Sequence, residues 1–432
     1  MNKNICMFVW NHFTNDARVL RECTALSEKG YSVDLICIHD PSMAELKTYE
    51  EINERFHVHR VKRYPQWLVL FQFMMKLLKE KKYLLLLLML VWVAGVFYVP
   101  LITIPLTILF SVLLIKKVRT LIIRASIFLR MILKGWQKNY DVFHSNDLNT
   151  LPQGVICAKF KLFNRKKLIY DSHEVQTSRT GYDSKLYGKM ESLLLKFVDQ
   201  MIVENHTRAK YNEDLYGFYP KVVHNYPFDQ KKEIKKINLH EILNIPKNEK
   251  ILLYQGGIQT GRGLENLVKA APYFTEGTLV FIGDGRIKNE LIQLTEEMGL
   301  SPKVKFLPKV PLADLPKYTQ NAYLGFQVLN NVCFNHYSAS SNKLFEYLMS
   351  GLPVVACNFP EIKKVVEGNN VGLCIDSHDH EEIAKAVNYM IEHPEKTAEF
   401  STNASEASNK YNWENEKENF TRIYESLGGE TS

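Results

Sequence analysis

The chain has 432 residues, 46% of them hydrophobic and 23% charged, a globular composition with room for two domains of ordinary size. A net charge of +7 is too small to single out nucleic acid, and neither aromatics interleaved with basic residues nor helix-turn-helix spacing is present. Seven scattered cysteines, with no CxxC pair and no histidine at zinc spacing, exclude a zinc module and read as reduced thiols of a cytosolic protein.

In chain order, Asn4–Val9 is a short apolar run expected to form a buried strand. Asp16–Lys29 then shows helical spacing (Val19, Leu20, Cys23, Leu26) and stops at Gly30, before a second strand in YSVDLICI. Strand, helix, glycine, strand is the βαβ opening of a parallel sheet. The apolar part of MNKNICMFVWNHF is too short for a signal peptide, so a cytoplasmic protein is expected. The stretch VWNHFTNDARV has no glycine, which argues against a nicotinamide enzyme and its GxGxxG turn.

Tyr83 to Ile115 carries no charge, while Lys76, Lys79, Lys81 and Lys82 precede it and Lys116, Lys117, Arg119 and Arg124 follow. One bilayer crossing takes ~20 apolar residues, so the run exceeds one span and falls short of two with a turn. The strands on either side should share a sheet, so both ends return to one side, and basic flanks stay cytoplasmic. Pro100 and Pro105 fall where a turn between two helices belongs. The expectation is a membrane-associated insert over 64–137, a helical hairpin dipping into the cytoplasmic leaflet with its turn near Val99–Pro105. Buried core helices or a dimer contact are the competing reading, and the unbroken apolar stretch Leu84–Leu90 weighs against it.

After the insert the α/β rhythm resumes: strands in DVFHSND, KLIYDSHE, DQMIVEN and KVVHNYP, with helices over Leu151–Phe160 and Gly188–Phe197. FDQKKEIKKINLHEILNIPKNEK is polar and basic and is expected to be an interdomain linker. A second domain opens with ILLYQGGIQTGRG, a strand into a loop whose Gly256, Gly257, Gly261 and Gly263 surround an arginine, a pattern that suits phosphate. Helix Leu264–Phe274, TLVFIGDG, a helix to Met298, KVKFLP and GLPVVACN follow, and YNWENEKENFTRIYESL reads as a last helix. In SNKLFEYLMSGLPVV a polar loop enters a helix whose first N–H groups suit phosphate; Lys343 adds a point charge there, and Glu346 stands where a carboxylate can accept both hydroxyls of a ribose.

On NDARVLRECTALSEKGYSV, DVFHSNDLNTLPQG, LIYDSHE, VVHNYP, YQGGIQTGRGLENLVKA, FIGDG and NKLFEYLMSGLPVV, in that order, the chain resembles GT-B glycosyltransferases. The likeness is greatest to family 4, retaining nucleotide-sugar enzymes of the bacterial cell-surface polysaccharide type. The resemblance implies two doubly wound α/β domains. Residues 1–228 would take the acceptor, 229–410 the nucleotide sugar, and a helix over 411–432 would return to the first domain. It implies donor contacts from Gly256, Gly257, Arg262, Gly283, Gly285, Ser338, Asn342, Lys343, Leu344 and Glu346. Glu346 matches the second member of the family's glutamate pair; Ser338 stands at the first, so its role passes to Ser338 or to Asn335 and His336. Arg262 matches the loop lysine, and Gly257 stands where the family has an arginine. His173 matches the histidine beside the reacting sugar; Asp16, His144 and Asn146 fall on the acceptor side. No metal and no other cofactor is implied. The expected partners are a nucleotide-sugar donor, a lipid-linked or glycan acceptor and membrane lipids, at the cytoplasmic face of the cell membrane. A non-catalytic shell acting as a binding partner, or transfer to a soluble or protein acceptor, are the alternatives.

Overall fold

A computed structural model describes residues 3–43, 45–161, 165–178, 185–229 and 236–427. Of the expected linker, residues 230–235 lie outside the described residues, as do residues 428–432 of the last helix. The chain divides into two compact units: residues 1–171 with 193–200, and 172–192 with 201–432. The expected boundary at residue 228 therefore falls inside the second unit.

The first unit runs β1 (Asn4–Phe8), α1 (Ala17–Glu28), β2 (Ser32–His39), β3 (Tyr49–Asn53) and β4 (Phe56–Lys62), then α2 (Gln66–Glu80), α3 (Lys82–Tyr98), α4 (Pro100–Leu114) and α5 (Lys116–Gly135), then β5 (Val142–Asn146), α6 (Leu151–Lys159) and β6 (Lys167–Ser172). Its strands lie in the order β3-β4-β2-β1-β5-β6. All pairs are parallel except β3 with β4, and Ile5 faces both Val33 and Val142 across the ladder. β1 and β5 are central strands, buried from Ile5 to Phe8 and from Val142 to Asn146; β1 reads as an apolar run, whereas β5 also buries the polar His144, Ser145 and Asn146. The pair β3–β4 is an antiparallel addition at the edge that periodicity alone did not suggest.

α3 and α4 pack on each other, and neither buries a single residue. Their turn is one residue, Val99, with Pro100 at the first helical position of α4. Pro105, expected within the turn, instead lies inside α4, more than one helical turn past the observed bend at Val99. The helices meet closely at Gly95, where an added Cβ would stand 2.8 Å from Thr103 Oγ1, and the Trp92 indole donates to Thr107 (2.8 Å). α2 meets α3 at 110° and α4 meets α5 at 86°, so both flanking helices turn sharply away from the hairpin. Among the described residues no single helix is long and apolar enough to cross a membrane; these two bent pairs pass that test by length and composition.

α5 belongs to two environments. Ile127, Met131, Ile132 and Gly135 are buried in the unit's core. Arg130 donates to the carbonyl of Lys62, the last residue of β4, while Lys138 just past the helix pairs with Asp34 near the start of β2 (2.6 Å). The helix thus runs antiparallel to the strands, and its first residues project about 21 Å past their carboxyl edge, at 1.5 Å per residue.

The second unit carries α7 (Lys185–Leu195, which ends in the first unit's residues), β7 (Gln200–Val203), α8 (His206–Tyr216), β8 (Lys221–Val222), α9 (Leu239–Leu243), β9 (Ile251–Gln255), α10 (Leu264–Ala270), β10 (Thr278–Ile282), α11 (Lys288–Glu297) and β11 (Val304–Leu307). It continues through α12 (Leu315–Thr319), β12 (Leu324–Gln327), α13 (Phe334–Tyr337), α14 (Asn342–Met349), β13 (Val354–Cys357), α15 (Pro360–Gly368), β14 (Gly372–Ile375), α16 (His380–Glu392), α17 (Pro394–Ser408) and α18 (Trp413–Ser426). Its sheet is parallel throughout, in the order β11-β10-β9-β12-β13-β14. Alternate residues feed two cores, Leu252 and Tyr254 one, Ile251 and Leu253 the other, because both faces are covered by helices. The strand order reverses between β9 and β12, and ligands of such sheets sit at that switch point, beyond the carboxyl ends of the strands. Within the supposed linker, α9 buries Leu239 and Leu243 in the second of these cores, so that stretch belongs to the domain. α18 is tied to the segment after β8: Trp413 N–H donates to the Pro227 carbonyl (2.9 Å), and Glu416 accepts from His224 N–H (2.8 Å).

Candidate functional site: an anion-binding cleft at the switch point of the second sheet

At the carboxyl ends of β9 and β10 the second unit opens into a cleft of about 470 Å³ lined by Gln255, Gly256, Gly257, Arg262, Gly283, Lys309, Asn342, Lys343 and Glu346, among others. The glycines have separate reasons. Gly256, Gly261 and Gly263 have φ of +124°, +80° and +69°, the left-handed region that costs a side chain 1–2 kcal/mol or so. Gly283 and Gly285 are required by contact: an added Cβ would lie 1.9 Å from the Gly256 carbonyl oxygen and 1.8 Å from that of Ile258. The GDG turn is the backing against which the glycine-rich loop is laid, with Ile258 N–H donating to the Asp284 carbonyl (3.0 Å). Gly283→Ala is therefore expected to lower the melting temperature by several degrees and to weaken nucleotide-sugar binding, which differential scanning fluorimetry with and without ligand reads directly.

Lys343 is the unusual group. Its side chain is only 6% exposed, its Nζ has no hydrogen-bond partner among the described residues, and it lies 4.1 Å from the centre of the Tyr254 ring. Burial, with Arg262 as a second cause, pushes its ammonium well below the ordinary lysine range. A buried cation with no anion is costly, and this one sits beside Gly256 at the first turn of α14, whose N-cap, Ser341, supplies no side-chain bond. Asn342 Oδ1 is likewise buried and unpaired. Arg262 and Lys309 add two more cations to the lining. The lining thus carries three basic side chains, Arg262, Lys309 and Lys343, beside the carboxylates of Asp284 and Glu346.

Glu346 stands one turn into α14, and its Oε2 accepts from Gln255 Nε2 (2.9 Å). Gln255 is held in turn by Thr319, whose hydroxyl donates to Oε1 (2.7 Å). The buried Gln255 and Thr319 orient the carboxylate, and no sequence pattern singles them out. Gln327, at the end of β12 on the switch point, is fully buried, neither of its amide atoms has a partner among the described residues, and no sequence pattern marks it.

Other expected site residues lie elsewhere. Leu344 is a core side chain. Ser338 is fully buried; its hydroxyl donates to the Phe334 carbonyl (2.8 Å) and accepts from Arg208 Nε (3.2 Å), so it does not line the cleft. Asn335 is used up on backbone: it accepts from Val175 N–H (2.8 Å) and donates to the carbonyls of Val175 and Ser178. Arg208 also donates to the His173 carbonyl. Arg208, Asn335 and Ser338 thus brace the segment that carries His173, and His173 belongs to the second unit rather than the first. His336 packs under the glycine-rich loop, where a Cβ on Gly261 would meet its ring at 3.0 Å, and burial holds its imidazole below the usual range.

In the first unit, Asp16 caps α1 by accepting from Val19 N–H (3.1 Å) and also accepts from Asn11 (2.7 Å). His144 and Asn146, expected on the acceptor side, are buried within β5, and Asn146 donates to the Phe8 carbonyl (3.0 Å). His144 joins Glu22 and Asp171 in a group whose ligand atoms lie within 4.8 Å of one another, close enough for a metal. Arg18 already bridges the two carboxylates, both oxygens of Asp171 at 2.8 Å and Glu22 at 3.0 Å, and its fixed charge opposes a cation there.

Residues 235–407, the span that contains the whole cleft, match the family model described as Glycosyl transferases group 1. An uncharacterized glycosyltransferase, MJ1607, of Methanocaldococcus jannaschii is 24% identical over 301 residues, 66% of this chain and 75% of that one. The D-inositol 3-phosphate glycosyltransferase of Thermomonospora curvata is 24% identical over 195 residues, 42% of this chain, and only 44% of its length is spanned. Among solved structures, sucrose-phosphate synthase from Thermosynechococcus elongatus superposes with a TM-score of 0.71 at 15% identity, over 100% of both chains. Anabaena Alr3699/HepE in complex with UDP-glucose gives 0.67 at 16% identity, over 98% of this chain and 100% of that one. The fold is therefore GT-B, α/β with parallel sheets in two domains. Over residues 235–407 the second unit is similar to group 1 glycosyl transferases.

Proposed function

We propose that the protein is a retaining glycosyltransferase that moves a sugar from a nucleotide diphosphate to a lipid-linked acceptor at the cytoplasmic face of the membrane, in surface polysaccharide or glycolipid synthesis. The observation that carries the donor half is Lys343, a buried ammonium without an anion that lines the same cleft as Arg262 and Glu346. In this reading the diphosphate supplies the missing charge. Arg262, Lys343 and the first N–H groups of α14 stabilise it as a leaving group without a metal, and Glu346, fixed by Gln255, takes the ribose hydroxyls. The bound UDP-glucose of the Anabaena structure supports a donor of this class. His173 serves the transferred sugar, and the first unit takes the acceptor. The exposed apolar hairpin α3–α4, projecting past the carboxyl edge of the first sheet, favours an acceptor embedded in lipid.

The test is sugar-nucleotide turnover by purified protein, with and without membrane lipid extract as acceptor. Wild type releases nucleotide diphosphate; Arg262→Ala and Glu346→Ala each lower kcat/KM by about 10- to 150-fold, the worth of a hydrogen bond to a charged group. Wild-type turnover no higher than that of the double variant would leave a non-catalytic shell, the reading that the serine at position 338 favours.

A further inference from the structure

The root of the hairpin holds a second cavity, of about 330 Å³, that the donor site does not use. Lys76 and Lys79, three apart on one face of α2, and Arg119 in the first turn of α5 line it together with Gln72, and Phe71 and Met75 supply an apolar wall. Phe71 also packs edge-to-face on Phe110 of α4 (5.6 Å), so this wall continues onto the exposed hairpin. Neutralising groups are scarce. Gln66 to Gly135 contains ten basic residues (Lys76, Lys79, Lys81, Lys82, Lys116, Lys117, Arg119, Arg124, Arg130 and Lys134) and a single acid, Glu80, 3.8 Å from Lys76.

We propose that this cavity binds the phosphate of an anionic phospholipid headgroup, one lipid held at the bend while its acyl chains follow Phe71 and Phe110 along the hairpin. The inference rests on the membrane reading above and deepens it from attachment to recognition. Three observations converge. Three basic residues from two helices line one open recess. An arginine is among them, and its planar fork suits two phosphate oxygens. The bends of 110° and 86° set the cavity at the level where α2 and α5 leave the hairpin, which is where headgroups lie if the hairpin is in hydrocarbon.

Vesicle co-flotation of the full chain tests this, comparing phosphatidylcholine alone with phosphatidylcholine containing phosphatidylglycerol. Wild type should float with both and bind the anionic vesicles more tightly. Lys76→Gln/Lys79→Gln/Arg119→Gln should retain binding to neutral vesicles and sugar-nucleotide turnover but lose the anionic increment, about 100-fold for three near-surface cations. Lys81→Gln/Lys82→Gln/Lys117→Gln removes the same charge outside the cavity and should lose far less. Equal losses from the two triple variants would mean a diffuse basic belt and overturn the site, as would an unchanged increment in the first. Displacement by glycerol phosphate, at an ionic strength where chloride does nothing, would make the ligand a soluble phosphate and overturn the lipid assignment. Wild type that floats with neither vesicle would fell the membrane reading itself, a result distinct from all of these.

Discussion

Lys343→Met is expected to melt above wild type and yet hold a nucleotide sugar more weakly. Methionine reproduces the lysine stem as far as Cε, the atom beside Gly256, and lacks only the ammonium that lies over Tyr254. Replacing a buried charge by a well-packed apolar group stabilises by about 1–4 kcal/mol. The same change removes a cation from the diphosphate site and should raise Kd about 10- to 150-fold. The signs also separate with pH. Lys343 loses its proton more readily in the folded chain than in the unfolded one, so the unfolded chain binds more protons between the depressed value and that of a free lysine. Wild-type stability must rise with pH across that window relative to Lys343→Met. An arriving diphosphate pulls the value back up, so binding takes up a proton, and calorimetry in two buffers of different ionisation enthalpy measures it. Equal melting temperatures and parallel pH profiles for the two proteins would remove Lys343 from the role given to it.

Deleting residues 82–116 and closing the gap with a short Gly-Ser bridge is expected to move the protein from the membrane pellet to the supernatant. Nucleotide-sugar affinity should remain within about twofold, because the deleted residues lie in the other compact unit from the donor cleft. α3 has 17 residues and α4 has 15, about 25 Å and 22 Å of helix, against ~30 Å of hydrocarbon. The hairpin is thus too short to span and long enough to seat deeply. Leu86, Leu90, Phe97 and Leu101 are more than 60% exposed, and at ~1.5–3 kcal/mol per large apolar side chain a few of them would suffice for the proposed attachment. Turnover on lipid-embedded acceptor should fall at least tenfold while hydrolysis of the sugar nucleotide persists. A deletion variant that still glycosylates lipid in vesicles at the wild-type rate would sever the hairpin from the acceptor.

What the sequence could and could not tell follows from how local each signal is. β1 and β9 were legible because a strand buried on both faces is a nearly unbroken apolar run between turns, and the glycine-rich loop and Glu346 because their neighbours in sequence are their neighbours in space. β3 was not: YEEIN is mostly polar and exposed at the sheet edge, and only its pairing with β4, Tyr49 opposite His59, reveals the hairpin. The linker was misjudged because α9 needs only Leu239 and Leu243 to dock, too few to show a period. Gln255 and Thr319 are distant in sequence from the carboxylate they orient, and Ser338 carries no mark of its tie to Arg208. Pro105 misled for another reason, since a proline in an exposed apolar helix does not have to end it.

α5 is one unbroken rod that is half foundation and half mast. Its last two turns are bolted to the sheet through Ile127, Met131, Ile132 and Gly135, while its first two stand clear of it. A body mounted this way has no swivel: whatever surface receives the mast also sets the azimuth of the strands below. Chimeras and soluble versions accordingly have a natural cut line upstream of Ile127, and trimming past it should cost the foundation itself.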